Sequence, residues 1–149
     1  MIDKKKIHSS CLELLDSKIE ISKKGMEEAQ ASANNETKSS AGDKYETGRA
    51  MSQRERDLHA RQLAELINMK KALTAVDPEK SLKTVELGAL VETSTSSYYI
   101  SASLGVIQVE NQQIMAISAI SPIAQAMLGK KVEDTFEWMK KENRILSIA

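Results

Sequence analysis

Aromatic residues are scarce in this chain: one Trp, one Phe and three Tyr among 149 residues. An aromatic-lined ligand pocket is hard to build from so few rings. There is one cysteine, Cys11, so no disulfide can form within the chain. Charge of one sign is not in excess. The chain has 21 basic and 21 acidic residues and a formal net charge of zero. It is therefore not globally a polybasic binder of nucleic acid or of a membrane surface. Neither GxxxxGK[ST] nor GxGxxG occurs, so the usual phosphate-cradling loops are missing. The longest weakly polar run, Ile114 to Leu128, is broken by Ser118, Ser121, Pro122 and Gln125. It lacks the roughly 20 apolar residues that span a bilayer. His8, Ser9, Ser10 and Glu13 follow the basic start, where a secretory signal needs an apolar stretch. A cytoplasmic location with a reduced Cys11 is expected.

What is present divides in two. Up to Lys80 there are 15 basic and 14 acidic residues; from Ser81 onward there are 6 and 7. Thirteen of the nineteen Val and Ile residues and four of the five aromatics lie after residue 80. The first part has a helix-former composition and the second a β-rich one. Asp77-Pro78 interrupts helix between them. The sequence thus predicts a hairpin domain over 1–78 and a small sheet domain over 79–149.

Leu12, Leu15, Ile19, Ser22, Met26, Ala29 and Ala33 recur at spacings of three and four, a heptad seam. The returning segment offers Ala50, Met51, Leu58, Ala60, Leu63, Leu66, Ile67 and Leu73. Residues 34–42, rich in Asn, Ser and Gly, lie between and favour a turn. Two arms of roughly 30 residues make an antiparallel coiled-coil hairpin about 45 Å long. Small residues near the turn predict a thin tip, less stable than the base.

Beyond Pro78 the period changes. Val85 to Val91, Tyr98 to Ser101, Gly105 to Val109 and Ile114 to Ser118 read as strands. Ser121 to Gly129 reads as a short helix, with Ser121 at the N-cap, Pro122 at the first helical position and Gly129 as the C-terminal cap. Thr135 to Met139 and Arg144 to Ile148 flank Lys140 to Asn143 as a hairpin. Phe136 and Trp138 share one face. The fold class is α+β: a helical hairpin, then a mostly antiparallel sheet with one covering helix.

Chemistry of its own is hard to assemble. His8 and His59 read as solvated helix histidines without metal-ligand spacing. Lys4-Lys5-Lys6 reads as a solvated helix start, and Cys11 as structurally buried rather than nucleophilic. Asp43 and Glu46, three apart, share a helix face near the turn, and Glu36 can approach from the other arm. Such carboxylates suit a hard cation such as Mg²⁺. Equally, Asp43 and Glu46 suit the start of a helix, where the dipole and a capping box favour them.

Ser121-Pro122-Ile123-Ala124, Gly129-Lys130 and Asp134, in that order, resemble the C-terminal domain of the bacterial Gre transcript-cleavage factors. The resemblance covers roughly the last 65 residues. It implies an FKBP-like sheet domain after an N-terminal coiled coil. It further implies that the domain docks on RNA polymerase through Ser121, Pro122, Ile123 and Ala124, while the hairpin enters the secondary channel. Acidic tip residues there help hold a second Mg²⁺ in the polymerase site, so the factor lends ligands and is not an enzyme. Asp43 and Glu46 are the implied ligands within the complex, with Glu36 as alternate. No cofactor is bound alone. The family's D-x-x-E-N-x-E-Y motif is incomplete: Thr47-Gly48 follow Glu46. Matching Tyr45 and Arg49 instead puts Lys38 and Ala41 at the acidic positions.

Three readings stand. The first is a channel-binding monomer that stimulates RNA cleavage, without independent nucleic-acid or membrane binding. The second is a non-cleaving channel regulator. The third is an interaction protein that dimerises through its coiled coil. Prolyl isomerase activity by fold analogy has no support in the residues.

Overall fold

The computed structural model describes residues 3–36 and 42–149; the side chains of Glu36 and of residues 42–46 lie outside the description. Helices α1 (Lys4–Glu36) and α2 (Gly42–Thr74) come first. Strands β1 (Leu90–Thr93), β2 (Ser97–Ser101), β3 (Gly105–Val109) and β4 (Gln112–Ser118) follow. Helix α3 (Pro122–Met127) then precedes β5 (Thr135–Trp138) and β6 (Lys141–Ile148). The expected α+β class, long helices and then a sheet with one short helix, is what the chain adopts.

Two compact units form, and they do not divide at residue 78. Residues up to 14 pack with 70–149, and residues 15–69 form the other unit. In residues 15–69 the α1 seam faces inward as its spacing predicts. Leu15, Ser22, Ala29 and Ala33 are buried, and Ile19 and Met26 are half-buried. The α2 side is different. Met51, Leu58 and Ile67 are exposed. Gly48, Ser52, His59, Ala60, Leu63, Leu66 and Met69 are the half-buried positions. Apolarity alone was right for Ala60, Leu63, Leu66 and Leu73 and wrong for Ala50, Met51, Leu58 and Ile67, because polar side chains occupy part of this heptad seam.

His59 shows why. A Cβ built on Gly25 would lie 2.6 to 2.8 Å from three atoms of the His59 ring. The imidazole therefore lies against bare α1 backbone, and its Nδ1 is buried without a partner. Glycine in a helix interior costs about 1 kcal/mol relative to alanine. Gly25→Ala should nonetheless destabilise the hairpin, because the ring must move. Gly25→Ala with His59→Ala should recover the helix-propensity gain. Thermal melts of the two variants check this.

The sheet unit has strand order β3-β4-β2-β1-β6-β5. Four of its strand pairs are antiparallel, while β2 and β4 run parallel, Tyr98 opposite Met115. The sheet is thus mixed, with β3 looping outside β4. Val85 to Ala89 is not strand. Gly88 has φ +92 and the Ala89 N–H bonds to the Glu86 carbonyl, so this segment turns before β1 begins. The last hairpin turns at Met139–Lys140 (φ 51 and 63), with Trp138 opposite Lys141, earlier than Lys140 to Asn143. Two left-handed residues in a row suit a tight hairpin. Neither is Gly or Asn, so composition gave no sign of it.

One sheet face carries Val91, Tyr98, Ile100, Ile117, Phe136 and Ile145 against Ile123, Ala124 and Met127 of α3. Trp138 packs against the same cluster, so it does share a face with Phe136. Side chains alternate across a strand. Tyr99 and Ser101 therefore face the opposite way, toward the first turns of α1.

Candidate functional site

Helix α3 is placed by its ends. Ser121 Oγ accepts from the Ala124 N–H at 3.4 Å and donates to the Ser118 carbonyl at 2.7 Å. Such a cap contributes about 1 kcal/mol. Pro122 stands at the first helical position, where no N–H is needed. Past the end, Gly129 has φ +78 and its N–H reaches the Val85 carbonyl at 2.8 Å. Asp134 then closes a turn, accepting from the Lys131 N–H at 2.8 Å while its own N–H bonds the Lys131 carbonyl at 3.0 Å. The motif residues Gly129 and Asp134 thus fix the loop after α3 into β5.

The four residues Ser121 to Ala124 do not form one surface. Ile123 is 7% exposed and Ala124 fully buried, so both serve the core. A direct contact from either with a partner is closed off by the packing. Pro122 is exposed and Ser121 half-exposed. Beside them Ile120 is 85% exposed, the most exposed large apolar residue among those described. Sequence reasoning passed over Ile120 because it falls between the strand read at Ile114 to Ser118 and the helix read from Ser121. The available face of the motif is therefore Ile120, Ser121 and Pro122.

A second cluster lies where the start of α1 meets the sheet, within the same compact unit. Asp3 caps α1, its carboxylate accepting from the Lys5 N–H at 3.0 Å. Lys4, Ile7, His8 and Cys11 share a helix face and are all buried. Lys4 Nζ donates to the Lys80 carbonyl at 2.7 Å and the Gly88 carbonyl at 3.0 Å. His8 Nδ1 lies 2.7 Å from the Tyr99 hydroxyl, the rings edge to face. The solvated reading of Lys4 and His8 is corrected here. Their polar heads find buried partners, so burial is affordable. Lys5 and Lys6 do face solvent, paired with Glu79 and Glu110.

Burial sets the proton chemistry of this cluster. It lowers the pKa of Lys4, with the Asp77 charge opposing. It lowers that of His8, with Asp77 opposing and Lys4 reinforcing. It pushes the Cys11 thiol up to about 11, with the nearby Ser101 hydroxyl opposing. Tyr99 is raised as well, so its hydroxyl stays protonated and can donate to neutral His8. Cys11 is buried as expected, and a raised thiol makes a poor nucleophile. Because His8 titrates lower when folded than when unfolded, the unfolded chain binds the extra proton first. Stability should be intact above about pH 6.5 and decline as pH falls below it. His8→Gln should flatten that decline in melts taken between about pH 5 and 7.5.

Asp43 and Glu46 fall near the start of α2 and Glu36 ends α1, but their side chains lie outside the described residues. Among the described residues no group of three His, Cys, Asp or Glu side chains is placed to hold a metal ion. Nor is any described helix long and apolar enough to cross a membrane.

Comparison with known proteins bears on the sheet unit. Residues 80–149 match the family model described as transcription elongation factor, GreA/GreB, C-terminal. Among solved structures the chain is similar to the transcription factor Gfh1. The identity is 20%, over 92% of this chain and 92% of that one, with a TM-score of 0.39. No curated protein matches. Residues 80–149, which hold the whole sheet and its capped helix, are thus similar to the C-terminal domain of the GreA/GreB transcription elongation factors.

Proposed function

We propose that this protein binds RNA polymerase at its secondary channel, with the sheet domain docking on the channel rim and the hairpin entering. The match of residues 80–149 to the GreA/GreB C-terminal family model supports this reading. As a Gre-type factor the protein is not itself a catalyst. It acts where the polymerase acts, in keeping with the expected cytoplasmic location. The docking contact is the exposed corner of Ile120, Ser121 and Pro122, a small apolar patch held rigid by the capped start of α3. At the hairpin end, Asp43 and Glu46, with Glu36 as alternate, are the ligands offered to a Mg²⁺ shared with the polymerase. The metal would activate the attacking water and offset charge during hydrolysis of backtracked RNA.

The test is binding to core polymerase by the full chain, expected at concentrations on the order of micromolar. Ile120→Asp places a charge on an exposed position and should leave the fold intact. It should weaken binding by about tenfold or more, the scale of losing an interface anchor. Absence of wild-type binding at these concentrations overturns the reading. One observation favours a narrower form. Thr47-Gly48 follow Glu46 where the cleavage motif continues otherwise. A non-cleaving regulator that occupies the channel fits that tip.

A further inference from the structure

Residues 93–129 contain one charged side chain, Glu110, in a chain that is 28% charged. That stretch includes β3, which forms one outer edge of the sheet. The opposite edge is β5, and there nine of the fifteen residues 130–144 are charged. Exposed sheet edges are templates for pairing, and charges or prolines usually guard them. One edge of this sheet is guarded and the other is not.

The backbone of β3 can be followed residue by residue. Glu110 and Asn111, at φ 50 and 64, make a two-residue turn between Val109 and Gln112. The residues flanking such a turn exchange both backbone hydrogen bonds. Alternation along the ladder then directs Gly105, Ile107 and Val109 toward β4. It leaves the N–H and C=O of Val106 and Gln108 pointing outward. No other backbone hydrogen bond among the described residues engages 105–109. The Val106 side chain is 57% exposed, and its cross-strand neighbour Met115 is 38% exposed.

We infer that β3 is a self-pairing edge, and that its partner is the β3 strand of a second copy of this chain. An antiparallel pair with its two-fold at Ile107 sets Val106 opposite Gln108 of the other copy, twice. Those are the residues whose backbone groups point outward, so each pair exchanges two bonds and all four close together. Val106 and Gln108 lie on one face, so Val106 packs beside the facing Gln108 and its own Met115. No like charges oppose one another: Glu110 falls opposite Leu104 and is already paired with Lys6. The strand is short, so the contact is weak and reversible, with a dissociation constant on the order of 0.1–1 mM. The monomer expected from the sequence is the dilute form.

Sedimentation equilibrium of the full chain over a concentration series tests this. The mass average should rise above 16.5 kDa as the concentration approaches that range. Val106→Lys puts like charges near the axis and should weaken association about tenfold or more, without lowering the melting temperature of dilute protein. Gln108→Pro removes an outward N–H that the monomer does not use, and should act alike. If Val106→Lys fails to fold, Gln108→Pro carries the test, and the reverse. A wild-type chain that stays monomeric throughout overturns the inference. So does a dimer that persists in both variants, as one formed through the helical hairpin would.

Discussion

Tyr99→Ala should lower the stability of the sheet unit by about 3–5 kcal/mol, the cost of truncating a large core aromatic. Tyr99 is the largest fully buried side chain among those described. It sits in β2, the strand that joins the parallel pair to the antiparallel ones. Its hydroxyl is the partner of His8, 2.7 Å away. The substitution therefore opens a cavity and strands a buried imidazole at once. Tyr99→Phe separates the two effects. It keeps the ring and should cost about 1–3 kcal/mol, the penalty for an unsatisfied buried polar group. Denaturant unfolding followed by Trp138 fluorescence reports the sheet unit directly. If Phe and Ala cost the same, the hydroxyl rather than the ring holds this corner.

If Asp43 and Glu46 are the metal ligands proposed above, Asp43→Ala with Glu46→Ala should reduce stimulated cleavage of backtracked RNA by about a hundredfold or more, a scale set by loss of one charge-stabilising group. Alanine is the best helix former, so the hairpin should keep its helix content. Binding to core polymerase should be little changed, since the proposed docking contact lies in the sheet domain. Undiminished cleavage in the double variant removes Asp43 and Glu46 from the metal role. A wild-type chain that binds and never stimulates cleavage is the non-cleaving regulator.

Much of the fold was legible in the residues. The α1 seam from Leu12 to Ala33 faces inward as its spacing requires. The strand Gly105 to Val109 is found where β-branched residues cluster. Ser121, Pro122 and Gly129 mark the ends of α3 because capping is local chemistry. The candidate docking motif was legible as a string but not as a surface. A six-residue helix must bury one face, and Ile123 and Ala124 lie on it. Which motif residues remain outside depends on which side the sheet covers.

The misreadings share a cause. Lys4 and His8 lie on the same helix face as Ile7 and Cys11, yet their charge and polarity hid the continuation of the seam. Only Tyr99 and the carbonyls of Lys80 and Gly88, distant in sequence, turn that stripe into an interior. In α2, His59 is a seam residue because Gly25 lies across from it. A polar residue turns inward when a remote segment satisfies it, as for Lys4 and His8, or leaves room for it, as for His59, and no local window contains that segment.

By itself the sequence determined what neighbouring residues decide: the phase of α1, the caps of α3, the break at Pro78 and the charge-dense hairpin beside a β-rich domain. The net charge of zero excluded a polybasic grip on nucleic acid at that level. The tertiary structure decided what pairing across the chain decides. It made β2 and β4 parallel, joined the first turns of α1 to the sheet unit, and left Ile120 and the edge of β3 outside. Those outcomes rest on contacts between segments far apart in the chain, where periodicity carries no information and packing does.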